Sequence, residues 1–281
     1  MARTTLALVA VAIVLIAAAG VALALFVRET PGEAVAETAR KLPEVRSGDL
    51  SMRVRAAPRG TELERGVGFS LKGPFALAAP NRLPTADVTF TRVAGGNRAR
   101  VSFVSTGREA FVTTAGQTYE LDAARERGLR GAAPASGTSG GLGELDIEDW
   151  VLDPKLEEGP ELGGAPTDRI TSRLRVVEAA NGLLELSGRG SQRLVGAEAT
   201  RLAGAARSAR LELLTGANDR LLRGLSIDLE LSADVPAAVR DALGPLGGAR
   251  FRLDLEVRDP NRAVRVAAPR DARPASELPS G

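Results

Sequence analysis

Leu225-Ser226-Ile227-Asp228-Leu229-Glu230-Leu231 sets an aliphatic side chain at every second position and a polar one between. Successive side chains of an extended chain point to opposite faces, so a period of two makes a strand with one apolar and one wet face. It is the clearest alternation in the chain, and the same period recurs on either side of it. Downstream, Phe251, Leu253, Leu255 and Val257 predict another strand, Asp259-Pro260-Asn261 a turn, and Val264 with Val266 the last strand. A short helix is expected between these runs, from Val235 to Leu243, ending at Gly244, and the residues after Pro269 read as a disordered tail.

Upstream the pattern appears twice. Leu50, Met52 and Val54 alternate with Ser51, Arg53 and Arg55; Val67, Phe69 and Leu71 with Gly68, Ser70 and Lys72; Val88 and Phe90 with Thr89 and Thr91; Ala99, Val101 and Phe103 with Arg98, Arg100 and Ser102. Gly95-Gly96-Asn97, Thr106-Gly107 and Ala115-Gly116 punctuate these runs as hairpin turns, which gives an antiparallel meander. After a helical stretch from Asp122 to Leu129 and a flexible loop from Gly131 to Gly143, Ile170, Ser172, Leu174 and Val176, alternating with Thr171, Arg173 and Arg175, begin a second meander, joined later by Leu211 and Leu213. Residues 177–207 read as helical, broken near Asn181-Gly182 and again at Gly188 to Gly190. At the start, Thr30-Pro31-Gly32-Glu33 has the make-up of a capping box with Pro at the first helical position; Val35, Ala39 and Leu42 share a face, and Pro43 ends the helix. The expected fold class is mainly β (α+β): one strongly curved antiparallel half-barrel sheet with helices on its concave face, a two-sheet sandwich being the competing architecture.

Leu6 to Val27 is a run of 22 residues without a charge. As a helix it would reach about 33 Å, enough for a hydrocarbon core of ~30 Å. It is longer than the apolar region of a secretory signal, so a transmembrane anchor over residues 1–28 is expected; cleavage after Ala22-Leu23-Ala24 is the alternative. Long domains translocate largely regardless of charge, which puts the body, residues 29–269, outside the cytoplasm, with 270–281 as tail.

Composition excludes several functions. The chain has no Cys and no His, which removes disulfides, zinc sites of the usual kind, Ser-His triads and thiolate nucleophiles. Thirty-seven basic residues nearly balance thirty-five acidic ones, and aromatics are only 3%, so the stacking platforms and basic stripe of a nucleic-acid binder are not expected. Gly137-Thr138-Ser139-Gly140-Gly141-Leu142-Gly143 lacks the Lys and flanking strand of a phosphate loop. The acidic residues between Glu144 and Glu161 lack calcium-loop spacing and read as a solvated surface. No cofactor, metal or catalytic residue is expected; an enzyme would have to rely on Tyr119, a Lys or paired carboxylates.

Several segments resemble the extracytoplasmic lipoprotein-carrier family of the LolA and LppX/LprG type. They are Val45-Arg46-Ser47-Gly48, Leu71-Lys72-Gly73-Pro74-Phe75, the run from Phe103 to Val112 leading to Thr118-Tyr119-Glu120-Leu121, Trp150-Val151-Leu152-Asp153-Pro154-Lys155, Gly163-Gly164-Ala165-Pro166-Thr167, and Arg262 to Pro269. The resemblance implies an open half-barrel wrapped around helices, with an apolar cavity that takes lipid acyl chains. This chain departs from the family in lacking the lipobox cysteine; an apolar helix stands in its place. The expected function is a non-catalytic binding protein for lipid or another lipophilic molecule. Leu50, Met52, Phe69, Leu71, Phe90, Val101, Phe103, Leu225, Ile227, Leu229, Phe251 and Leu253 are its candidate cavity lining. Partners are then the membrane and that lipid, with no nucleic acid. The alternative is an envelope regulator or sensor that grips another envelope protein by its surface, for example around Trp150.

Overall fold

Two meanders zip together through the first strand of one and the last strand of the other. A computed structural model describes residues 29–58, 60–77, 82–94, 96–132, 146–186, 193–232, 235 and 248–277. Helix α1 (Pro31–Lys41) precedes the first meander: β1 (Ser47–Pro58), β2 (Val67–Ala76), β3 (Thr85–Ala94), β4 (Asn97–Thr106), β5 (Ala110–Thr114) and β6 (Gln117–Glu120). Helices α2 (Ala123–Ala132) and α3 (Ile147–Trp150) lead into β7 (Val151–Glu158) and β8 (Thr167–Leu174). Helices α4 (Val176–Leu186) and α5 (Gly196–Ala205) then precede β9 (Ala206–Gly216), β10 (Leu222–Leu231), β11 (Ala249–Arg258) and a short β12 (Arg273–Pro274).

All twelve strands belong to one sheet in the order β12-β6-β5-β4-β3-β2-β1-β11-β10-β9-β8-β7. Every pairing is antiparallel except the last, β12 with β6. One mainly β sheet with a few short helices is therefore the architecture, and the sandwich is not. The hairpin turns fall where the sequence puts them: Ala94 pairs with Asn97, and Thr114 with Gln117. Ala115 and Gly116 both take positive φ, 49° and 78°, as a two-residue turn matched to strand twist requires.

Helix α1 starts with the expected capping box. The Glu33 backbone N–H donates to Thr30 Oγ1 at 3.2 Å, and the Thr30 backbone N–H donates to Glu33 Oε2 at 2.7 Å. The Thr30 backbone N–H, joined by the Thr30 hydroxyl at 2.8 Å, holds the Glu33 carboxyl below its usual range. Val35 and Leu42 are buried, and a 3₁₀ turn containing Pro43 closes the helix. Arg220, in the β9–β10 turn, pairs with both Glu29 and Asp168, which ties the chain before α1 to β8. Burial pushes its guanidinium pKa down, but the two carboxylates outweigh that and leave it above its ordinary value.

Several sequence expectations need correction. Helix α4 runs unbroken through Asn181-Gly182. A Cβ at Gly182 would lie 2.8 Å from Trp150 Cζ2, so the glycine is there for close packing, and Asn181 is occupied in two hydrogen bonds with the Leu194 backbone. Val176, expected on the strand with Leu174, instead starts α4, and the expected helix ending at Arg207 stops at Ala205, where β9 begins. The acidic stretch contains an unforeseen strand, β7, at the sheet edge; Pro154 sits in a bulge between Leu152 and Lys155, where its missing N–H breaks no ladder. Val264 and Val266 keep an alternating exposure but form no strand. The strand they follow, β11, already has β1 on one side and β10 on the other, so no edge is free beside it. The chain instead reaches the β6 edge, where Arg273–Pro274 pairs and Ala275 is buried, within the segment expected to be a tail. Finally, Trp150 is 1% exposed, so it offers no surface to a partner protein.

The run Leu6–Val27, residues 133–143 of the expected loop, the expected break at Gly188 to Gly190 and residues 236–244 of the expected short helix and its end lie outside the described residues. Among the described residues no helix is long and apolar enough to cross a membrane.

Candidate functional site

The register aligns all twelve candidate lining residues on one face of the sheet. One row shows how. Ile170, Leu213, Leu225, Leu255, Met52, Leu71, Phe90 and Val101 are successive partners across eight strands, β8 to β4 in sheet order. The other face carries rows such as Glu212, Ser226, Asp254, Arg53, Ser70, Thr91 and Arg100. Its cross-strand pairs are polar: Ser226 Oγ donates to Asp254 Oδ1 at 3.0 Å, and Thr89 Oγ1 lies 3.0 Å from Ser102 Oγ.

Burial along the apolar row falls from β8 as far as Phe90 on β3, and Val101 beyond it is half-buried. Ile170 and Leu213 are wholly buried, Leu225 and Leu255 are 3% and 9% exposed, Met52 and Leu71 are half-buried, and Phe90 is 38% exposed. The cause is the placement of the helices. Val35 and Leu42 around α1, Ile147 and Trp150 of α3, Val176 and Ala179 of α4, and Leu202 and Ala205 of α5 join one core with Ile170, Leu211, Leu213, Leu225, Ile227 and Leu253. The main core therefore lies over β7 to β11.

The twelve candidates thus divide into three groups. Leu225, Ile227 and Leu253 are core, and Leu50, Met52, Leu229 and Phe251 pack half-buried against it. Phe103 joins a second, small cluster of Leu83, Ala110 and Leu121 at the ends of β4 and β5. Phe69, Leu71, Phe90 and Val101 belong to neither cluster among the described residues. They adjoin one another on β2, β3 and β4: Leu71, Phe90 and Val101 are register partners, and the Phe69 and Phe90 rings lie 5.7 Å apart, tilted by 30°. Val67, at the same end of β2, is 39% exposed. This patch can dehydrate an apolar ligand; it contains no group for covalent or acid–base chemistry.

Sequence reading did not separate these groups, because the alternation is equally regular in all of them. It also passed over Val54 and Val112, which flank the patch on β1 and β5, and Arg92, which continues the Val88–Phe90 alternation onto the same face.

Two depressions of about 410 and 260 Å³ lie on the polar face. The larger mixes Arg53, Arg252 and Arg258 with Glu212, Asp254 and Glu256; the smaller gathers Arg53, Arg55, Lys72, Arg98 and Arg100 around Glu64. Neither has an apolar lining suited to an acyl chain. Among the described residues no group of three or more acidic side chains could hold a metal ion.

No protein-family model matches the chain, and no curated protein matches its sequence. Solved structures resemble it over most of its length at low identity. LprF from Mycobacterium bovis is 10% identical, covering 86% of this chain and 97% of its own, with a TM-score of 0.43. The Mycobacterium tuberculosis lipoprotein LppX is 14% identical over 83% and 98%, with a TM-score of 0.39. A LolA-superfamily protein from Nitrosomonas europaea is 10% identical over 83% and 95%, with a TM-score of 0.22.

Proposed function

We propose that this is a non-catalytic binding protein for lipid or another lipophilic molecule, held at the outer face of the cytoplasmic membrane by residues 1–28. The binding domain runs from residue 29 through β12, and the sheet curves as a half-barrel around the bound chain. One observation carries the reading: Phe69, Leu71, Phe90 and Val101 form a contiguous apolar patch outside both packed clusters, on a face that is core elsewhere in the sheet. Large apolar side chains left half-covered favour whatever apolar surface removes them from water. An acyl chain laid on the patch gains about 0.8 kcal/mol per buried methylene, and an aliphatic and aromatic lining with few polar anchors suits flexible chains better than polar metabolites.

The test uses the full-length protein in phosphatidylcholine nanodiscs with a diazirine-bearing fatty acyl probe. Photolysis should label peptides carrying β2, β3 and β4, and Val101→Trp, which fills the patch, should reduce that labelling without unfolding the protein. Labelling that spares β2 to β4 would overturn the reading and give first place to an envelope regulator that binds another protein.

A further inference from the structure

Arg92 breaks the apolar face at a specific place. Its register partners are Phe69 on β2 and Ala99 on β4, and two residues away on the same face is Phe90. Among the described residues it is the only charged side chain on this face of β1 to β6, it is exposed, and it has no ion pair or hydrogen bond. A charge turned inward can guard an edge strand against pairing with another chain. That account does not fit here, since β3 lies between β2 and β4 and has no free edge.

The surroundings are cationic as well. The whole chain carries a formal charge of only +2, yet residues 65–108 contain seven Arg or Lys against one acid, Asp87. The smaller depression, behind the same strands, adds Arg53 and Arg55 with only Glu64 opposed to them. An anion reaching this end of the sheet therefore meets a positive field, and on the apolar face it meets one unengaged guanidinium beside the exposed Phe90 ring and the half-buried Phe69 ring. A guanidinium presents paired donors that match a carboxylate or phosphate.

We propose, building on the lipid-binding reading above, that Arg92 is the head-group anchor for an anionic amphiphile. The acyl chain lies along Leu71, Phe90 and Val101, and its carboxylate or phosphate is held by the Arg92 guanidinium at the end of the patch. Ligand selection is then by head-group charge, while the patch itself is indifferent to it.

The experiment compares probe pairs that differ only in the charge of the head. The full-length protein in phosphatidylcholine nanodiscs is photolysed with diazirine-bearing palmitic acid or palmityl alcohol. A second pair, a diazirine-bearing lysophosphatidate and the matching monoacylglycerol, tests phosphate in place of carboxylate. Adduct yields on β2–β4 peptides are read by mass spectrometry for wild type, Arg92→Gln and Arg98→Gln, the last removing a nearby charge from the opposite face. Arg92→Gln should lower labelling by at least one anionic probe about five- to tenfold, the range expected for a partly exposed charge-assisted contact. Both neutral probes should label the variant like wild type, and Arg98→Gln should keep wild-type yields throughout. A loss with palmitic acid alone, lysophosphatidate alone or both identifies the head group as carboxylate, phosphate or either. Undiminished anionic labelling of Arg92→Gln, or an equal loss in Arg98→Gln, would overturn the anchor while leaving lipid binding intact. If no probe labels β2 to β4 in wild type, lipid binding and the anchor fall together.

Discussion

Ile227 and Phe90 occupy similar places in the chain. Each is in the middle of a ten-residue strand with polar neighbours on both sides, and each points to the same face of the same sheet. Ile227 is 2% exposed and Phe90 is 38% exposed. The difference is not in the strands; the helix-bearing core covers one and neither cluster reaches the other among the described residues. Alternation decides which face a residue takes, whereas cover depends on which helices come back over it. The two halves of the sheet therefore differ in what their apolar residues can do: one half is committed to stability, and the other is left with surface to bind.

The sharpest way to break this comparison is to put a carboxylate into each half. Ile227→Asp should unfold the protein, because an unpaired buried carboxylate costs several kcal/mol, comparable with the stability of a whole domain. Phe90→Asp should cost about 1 kcal/mol or less, as exposed substitutions do. Asp228→Ala, on the wet face, loses only the exposed pair with Arg250, about 0–1 kcal/mol. Urea melts followed by circular dichroism check all three. Equal losses for Ile227→Asp and Phe90→Asp would mean that both halves are packed alike.

A smaller effect tests the fit within the covered half. Gly182→Ala places a methyl 2.8 Å from the Trp150 ring, which is itself buried in the main core. Overpacking of that kind costs about 1–3 kcal/mol. The matching insertion in the other half, Val101→Trp, should change the urea midpoint far less while reducing acyl labelling. If Val101→Trp destabilises as much as Gly182→Ala, the patch is already filled.

Much of the fold was legible because period two is a local property. Every strand with a clean alternation was found, and the capping box of Thr30 and Glu33 located the start of α1 to the residue. The misreadings are those in which a distant element decides. Pro154 and its acidic neighbours disguised β7, since an edge strand tolerates both and a central strand does not. Asn181-Gly182 looked like a break, yet Trp150, far off in sequence, requires the glycine. Val264 and Val266 alternate like a strand, but the neighbouring edges were already taken. For the site, the face was legible and the patch was not: only the placement of the helices separates Phe69, Leu71, Phe90 and Val101 from core residues of identical pattern. Net charge was misleading for a similar reason, since +2 is the sum of a cationic β2–β4 segment and a more acidic remainder.

The smallest expected effect again contrasts the two halves, this time through the starts of their helices. Asp122 stands before α2, following the β2–β6 meander, and its Oδ1 accepts from the Arg125 and Ala124 backbone N–H groups at 2.8 and 3.1 Å. These donors, the Arg125 amide foremost, hold the Asp122 carboxyl below its usual range. A carboxyl lowered in the folded state adds stability that is fully present above its unfolded-state value and is lost as pH falls through the folded one. Glu33 plays the same part for α1 in the covered half, lowered by its bonds from Thr30. Asp122→Asn keeps a side-chain acceptor at the cap but removes the titration, and Glu33→Gln does the same for α1. Both carboxylates lie at the surface, so each effect should be small. Wild type should exceed Glu33→Gln slightly in urea midpoint at neutral pH, and the gap should close in acid below the ordinary carboxylate range. Helix α1 is packed into the main core through Val35, so weakening its cap should lower the global melt. If α2 opens on its own, weakening its cap should speed amide exchange at residues 124–127 and leave the global melt unchanged. A global shift from Asp122→Asn as large as that from Glu33→Gln would show that the two halves unfold as one unit despite their different cover.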